Sequence, residues 1–442
     1  MLAVAALGCG SEGGPAMPEV APELAAPVAQ APEPEPAPPE PGVRIEPIPE
    51  LSVLTASLVE HLRAIRATSD RRQDDVFMKV GDSSTVSRGF LECFSSPDEV
   101  DLAGREELEA TLAHFRNRHA GSRDSYRRVS RAAHEGWSAR HVLDGDPSPL
   151  LQEVRAIRPR FAFVMNGGND VEGADDYRYA QRMLRIVEGL EANGVIPILS
   201  AISPRRDDPE TERWVERYNT VGWAIARARR LPYLDYHQLM MRLPRLGLAG
   251  DGVHPNIYPV DGRGRACVLD EAGLQYGHNA RNLLALRGLD ATRRAALEGA
   301  DGSPDPPVEG DGTAASPREV RALPFAELVD TRTGGSRSID RYACGDADES
   351  GREIVYRLVV DRPLAVRLLA VGREDVDVDV HLLRGEATGA ACVERADREI
   401  EATLEPGTWL VSVDTFSEGG EARAGEALVV LSPRVEGPHG LD

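Results

Sequence analysis

Between residues 51 and 300, short apolar runs alternate with longer stretches of helical period, and no other feature of this chain narrows its fold so far. The runs are residues 76–80, 161–165, 195–199 and 231–235, with 127–133 as a weaker candidate. Short runs that do not alternate with polar residues have both faces covered, as strands of a parallel sheet do when helices flank it. Helical stretches cover 174–192, 209–229 and 278–299. In the second, Trp214, Tyr218, Val221 and Ile225 recur at spacings of four, three and four, which is one helix face and predicts core packing.

The pattern breaks at residues 301–317, a segment of Asp, Gly, Ser and Pro that reads as a linker. After it come short strands at 354–360, 365–371, 376–383, 401–404, 409–413 and 427–431, separated by turn residues. Such spacing predicts an all-β sandwich, here residues 318–435. The linker has no apolar periodicity, so few contacts are expected to join the two domains, and 51–300 is expected to fold alone. A length of 442 residues agrees with two domains plus linkers.

The first nine residues are apolar and small and end in Cys9, which resembles the tail of a bacterial lipoprotein signal with Cys9 as the acylated residue. Residues 10–50 are rich in Pro, Ala and Glu, cannot bury a core, and read as an extended spacer. The expectation is an exported protein of the bacterial cell envelope or extracellular space, touching membrane only through that lipid. No run approaches the roughly 20 apolar residues of a spanning helix. The net charge of −21 argues against nucleic acid and against docking on anionic lipid. There are five cysteines. With Cys9 lipidated the other four can pair in three ways, of which Cys93–Cys267 and Cys344–Cys392, each within one domain, is the simplest. No cysteine or histidine spacing predicts zinc.

Three motifs carry chemistry: Gly81-Asp82-Ser83-Ser84, Gly167-Gly168-Asn169-Asp170 and Asp251-Gly252-Val253-His254. Each alone is an ordinary turn, loop or local contact. In this order, each beyond the end of a strand, they converge on the edge where open parallel sheets bind ligands. A serine hydroxyl is a poor nucleophile until an imidazole takes its proton, and a carboxylate on the far ring nitrogen fixes the tautomer. Ser83, His254 and Asp251 are those parts.

With these blocks the chain resembles the SGNH family of hydrolases, also called GDSL esterases and lipases. Gly81 to Ser83 match its first block, Gly167 to Asp170 its third, and Asp251 with His254 its fifth. The family's second block is a glycine whose N–H joins the oxyanion hole, and Gly136, in Ala133-His134-Glu135-Gly136-Trp137-Ser138, is the best match. The resemblance implies a three-layer α/β/α sandwich with five parallel strands, and an oxyanion hole built from Ser83, Gly136 and Asn169. Asp82 and Asp170 read as braces for their loops, and His134 as a surface or structural residue. The arginine-rich stretch 122–131 reads as a solvated helix face. The tail resembles the bacterial pre-peptidase C-terminal β-sandwich, through residues 375–383 and 404–414. There Asp375, Asp377 and Asp379 share one strand face and could help bind Ca²⁺, although a wet, charged sheet face accounts for them as well.

The resulting expectation is a serine ester hydrolase working through an acyl-enzyme, with no metal or cofactor. Its substrate would be a small-molecule or carbohydrate ester, or a lipid, with the sandwich contacting a surface or polymer. An SGNH-type carbohydrate O-acyltransferase uses the same residues. A surface adhesin carrying a relic hydrolase domain is the rival from another class.

Overall fold

The structure, a computed structural model, describes residues 41–434. The proposed signal segment and most of the spacer therefore lie outside the described residues. Four parallel strands form the central sheet in the order β1 (Gln73–Gly81), β2 (Pro159–Met165), β3 (Ile196–Ser200) and β4 (Tyr233–Leu234). Nearly every residue of β2 and β3 is buried, as expected of strands covered on both faces. Helices α1 (Ala56–Thr68) and α6 (Gly277–Leu297) pack together on one face. Helices α3 (Pro149–Ile157), α4 (Asp176–Glu191) and α5 (Pro209–Arg229) pack as a layer of neighbours. A four-residue helix, α2 (Ser83–Val86), follows β1 directly. Phe77 anchors the core, with edge-on contacts to Phe115, Tyr126 and Phe163 at 5.3–5.4 Å.

The expected fifth strand is not formed. Residues 127–133 meet β1 only at its last residue, where the Gly81 N–H donates to the Ala132 carbonyl (3.1 Å) and the His134 N–H to the Gly81 carbonyl (3.2 Å). Upstream of that bridge the segment has little to bury, since Val129 is 75% exposed. The Ser130 hydroxyl also takes the Ala132 N–H, diverting a donor that a strand would need. Nor is this stretch helical: Arg128 instead forms a paired bond to the buried Glu153 carboxylate, 2.9 Å at each nitrogen.

Two sheets form the C-terminal region. One has the order β6 (Phe325–Asp330), β13 (Glu426–Pro433), β8 (Leu364–Gly372), β11 (Glu399–Leu404) and is antiparallel. The other has the order β10 (Cys392–Ala396), β9 (Val378–Arg384), β12 (Gly407–Thr415), β7 (Ile354–Val360), β5 (Arg318–Glu319), with only the β7–β5 pair parallel. Val366, Leu368, Val380, Val411 and Val429 fill the space between them. Both disulfides pair as the sequence predicts, Cys93 with Cys267 and Cys344 with Cys392. The first spans 174 residues and constrains the unfolded chain by about 5 kcal/mol in the entropic account.

The expectation of few contacts between the domains does not hold. Leu369, Val371, Leu428 and Val430 point away from the sandwich interior and join the core of the parallel-sheet domain. They pack against α4 and α5, whose Trp214 is only half-buried. An ion cluster closes the seam. Asp176 of α4 accepts from Arg217 (3.1 Å) and from Arg367 of the sandwich (2.6 Å), and both arginines also reach Glu399. At the other end of the chain, Arg44–Ile45 pairs in parallel with Ala322–Leu323, and the Ser52 N–H donates to the Tyr233 carbonyl. The end of the expected spacer is thus stitched first to the sandwich and then to the parallel sheet.

Leu369 is 2% exposed, and Leu369→Ala is expected to cost about 2–5 kcal/mol, the range for a buried leucine. Loss of the helical signal of the parallel-sheet domain and loss of the sandwich β-signal should follow one urea transition. Two separate transitions would mean the seam does not couple the domains.

Candidate active site

β1 ends at Gly81, and the chain turns at once into α2. Asp82 caps that helix, its Oδ1 accepting the Ser84 N–H at 3.0 Å. This fixes Ser83 at the first helical position, at the carboxyl edge of the sheet. The Ser83 hydroxyl lies 2.9 Å from His254 Nε2. His254 Nδ1 in turn lies 2.8 Å from Asp251 Oδ2. The other Asp251 oxygen accepts the backbone N–H groups of Val253 and His254, both at 3.0 Å. Partial burial alone would raise the Asp251 pKa. The hydrogen bonds from the His254 and Val253 backbone and the His254 ring outweigh it and bring the group to about 2. Asp251 is therefore an anion throughout the working range.

The loop carrying this pair is held from two sides. The Arg206 N–H donates to the Gly252 carbonyl (2.8 Å), and the Ala249 N–H to the His254 carbonyl (2.8 Å). Gly252 has φ +73°, and a Cβ there would stand 3.1 Å from the Asp207 nitrogen. Glycine meets both demands.

The remaining two blocks are tied to the first. The Asn169 amide donates to the Trp137 carbonyl at 2.9 Å, which sets its plane and leaves its second hydrogen for another acceptor. A Cβ at Gly168 would stand 2.7 Å from Asp82 Oδ2, so the third block rests directly on the capping carboxylate. Gly136 lies between two anchors, the His134 bond to Gly81 and the Trp137 bond to Asn169. Its φ is +73°, and no atom stands within 4 Å of where a Cβ would be. Ser83, Asn169, Asp251, His254 and the Gly136 segment are thus gathered on one sheet edge. His134 is exposed and stacks on Trp137, ring centroids 5.5 Å apart.

Asp82 and Asp170 brace, as the sequence predicts. Asp170 Oδ2 accepts the Ala139 N–H at 2.9 Å, and burial raises its pKa. Burial pushes Asp82 up to about 6, against the pull of Arg281 and the Ser84 N–H.

Two site residues escaped the sequence analysis. Arg281 of α6 is buried beneath the turn that carries Ser83. Its Nη1 donates to the Ser84 carbonyl at 2.7 Å, and its guanidinium lies 3.8 Å over the Phe90 ring. The buried part of this helix also carries His278, Asn279 and Asn282, so the charge of Arg281 did not stand out in the sequence. Arg205 donates to the Gly168 carbonyl at 2.7 Å while paired with Asp207. It braces the Asn169 block, and its neighbour Arg206 braces the His254 loop.

The sequence profile of the GDSL-like lipase/acylhydrolase family matches residues 80–257. No curated protein matches the chain. Solved structures that the chain matches include a GDSL-like lipase from Bacteroides thetaiotaomicron, at 14% identity over 53% of this chain and 98% of that one, TM-score 0.32. An acetyl xylan esterase from Geobacillus stearothermophilus shows 17% identity over 49% and 95%, TM-score 0.32. TesA shows 18% identity over 50% and 99%, TM-score 0.32. The matched span of the family profile runs from just before the Gly81 block to just past His254, and so takes in every block the geometry gathers: residues 80–257 carry a GDSL-like lipase/acylhydrolase domain.

Proposed function

We propose that the chain cleaves O-acyl esters of carbohydrates or lipids through a Ser83–His254–Asp251 triad and a covalent acyl-enzyme. The observation that carries this reading is the unbroken relay from Ser83 Oγ through the His254 ring to Asp251, at 2.9 and 2.8 Å. His254 Nε2 takes the hydroxyl proton as Ser83 attacks the ester carbonyl. Asp251, already ionised, holds the tautomer and stabilises the imidazolium that forms. Negative charge then develops on the carbonyl oxygen. The Ser83 and Gly136 N–H groups and the free hydrogen of the Asn169 amide are the donors offered to it. His254 returns the proton to the departing alkoxide. Water, deprotonated by the same ring, then releases the acid and restores Ser83.

The surroundings favour an ester displayed on a large alcohol. The His254 and Asp251 side chains are 43% and 51% exposed, so the relay faces solvent at the rim. An ester projecting from a polymer or an interface reaches such a site without the chain behind it entering the protein.

Ser83→Ala is expected to fold normally and to lose at least about three orders of magnitude in turnover, with His254→Ala as severe. Asn169→Ala should lose on the order of 10²–10³, as for one oxyanion donor. Turnover on acetylated sugars and fatty-acyl esters, with fluorophosphonate labelling of the wild type, checks these outcomes. An active Ser83→Ala removes the serine mechanism.

The Asp251 carboxyl has a pKa near 2, below its unfolded value, so its bonds to the loop persist above about pH 4 and fail only as the pH falls through about 2. Asp251→Asn should therefore lose about 10⁴-fold in kcat at pH 8, through the wrong tautomer. The acid limb of the wild-type profile should fall well above pH 3, and a limb centred near pH 2 would contradict this assignment.

A further inference from the structure

The first turns of α6 grip both segments on which the proposed relay depends. Arg281 holds the Ser84 carbonyl. Asn282 is fully buried, donates to the Gly89 carbonyl (2.8 Å) and the Ala266 carbonyl (3.0 Å), and accepts the Leu91 N–H (2.9 Å). It ties the chain that follows Ser83 to the chain that follows His254. His278 reaches nearer to both. Its backbone N–H donates at 2.9 Å to the carbonyl of Asn256, two residues after His254. Its ring Nε2 lies 3.2 Å from the hydroxyl of Ser87, four residues after Ser83.

Both contacts are anchored at their far ends. The Asn256 side-chain oxygen accepts the Gly277 N–H (2.7 Å), and the Asn256 N–H donates to the Gly247 carbonyl (2.8 Å). Ser87 closes α2, its N–H donating to the Ser83 carbonyl at 3.0 Å. The His278 ring is 2% exposed and lies against Gly89, where a Cβ would stand 2.7 Å from two ring carbons. Glycine there lets the ring reach Ser87. His278 Nδ1 is buried without a hydrogen-bond partner. An orphaned buried N–H is rarer than an orphaned acceptor, which assigns the ring proton to Nε2 as the donor to Ser87. The Ser87 oxygen also accepts the Gly89 N–H (3.2 Å), so both its lone pairs are used. Burial, with Arg281 and His254 nearby, holds His278 down to about 3, so the ring stays neutral and puts no charge against an imidazolium on His254.

We infer that His278 is a positioning residue for ester cleavage: through Ser87 on one side and Asn256 on the other, it fixes the separation of Ser83 from His254. The inference rests on the proposed Ser83–His254–Asp251 mechanism. Ser83 opens a helix of four residues, too short to hold its own shape, so its place depends on what grips the ends of α2. Asp82 grips the start, and His278 grips the end through Ser87. The separation at stake is the 2.9 Å between Ser83 Oγ and His254 Nε2. A displacement of about 1 Å there is enough to cost on the order of 10²-fold in rate. His278 acts through its neighbours and takes no proton itself.

The test compares, in the full unreduced chain, His278→Leu, which fills the space without an N–H, His278→Gln, which returns an N–H, Ser87→Ala, and Ser87→Ala combined with His278→Leu. The readouts are kcat and KM on a small soluble ester and the rate of fluorophosphonate labelling, each per folded molecule. His278→Leu should lose about 10- to 100-fold in kcat and as much in labelling rate, with KM within about twofold of wild type. His278→Gln should recover most of that loss. Ser87→Ala should match His278→Leu, and the double variant should lose no more than either single one. A residue that only fills space would lower the melting temperature and leave kcat and labelling unmoved. Wild-type kcat in folded His278→Leu, a His278→Gln no better than His278→Leu, or additive losses in the double variant would each overturn the inference and leave the triad standing. Where His278→Leu does not fold, Ser87→Ala removes the same bond from the other side, and wild-type kcat there overturns it. A wild type that the fluorophosphonate does not label would instead remove the triad reading, and this inference with it.

Discussion

The edge that gathers Ser83, Asn169 and His254 depends on how closely the last residue of β1 approaches its neighbours. Gly81 pairs with Met165 on one side and bridges to Ala132 and His134 on the other. A Cβ there would stand 2.4 Å from the Met165 carbonyl oxygen and 2.3 Å from the Thr85 hydroxyl. Any side chain would push β1 away from β2 and from the segment that leads to Gly136. Because the spacing is that of hydrogen-bonded strands, about 4.8 Å, the three blocks that follow these segments begin in register with one another. The distances among Ser83, His254, Asp251, Asn169 and the Gly136 segment follow from that register. Loops alone would have to be held to the same tolerance by side chains.

What the sequence made legible follows from how local each signal is. That Ser83, Asp251 and His254 come together was readable because each lies in a short block and because a parallel sheet sends every such block to the same edge. The two disulfides were readable once the domains were. Arg281 was not, since its partner, the Ser84 carbonyl, lies 197 residues away and a backbone acceptor leaves no mark in a sequence. The fifth strand failed for a related reason. Residues 127–133 carry enough apolar character to suggest a strand, but the side-chain bonds of Ser130 and Arg128 direct them elsewhere.

The domain seam shows a signal that was present and assigned to the wrong partner. Residues 365–371 are apolar at successive positions apart from Arg367, and a strand of that kind has two buried faces. One face was accounted for by the sandwich. The other, with Leu369 and Val371, required a second covering layer, and α4 and α5 provide it. Arg367 marks the same face. It is buried, and only the Asp176 and Glu399 carboxylates brought together by the seam make its charge tolerable there. The sandwich is thus part of what keeps the outer surface of the α4–α5 layer dry.

Two carboxylates of the site show how environment divides their roles. Asp251 is half exposed and receives three hydrogen bonds, so it stays ionised and serves the imidazole. Asp82 is buried, and its folded pKa of about 6 lies above the unfolded value. Its ionisation therefore opposes folding, progressively from about pH 4 up to about pH 6, and the full cost is present above that. Arg281 lies close enough to offset part of the cost, and Asp170 and His254 are the other charged or titratable groups that act on it. The cation and the anion meet through one residue. Asp82 accepts the Ser84 N–H while Arg281 donates to the Ser84 carbonyl, so both backbone polar groups of the residue after Ser83 are fixed from below. Ser83, fixed through the backbone of its neighbour, keeps its hydroxyl 2.9 Å from His254 Nε2.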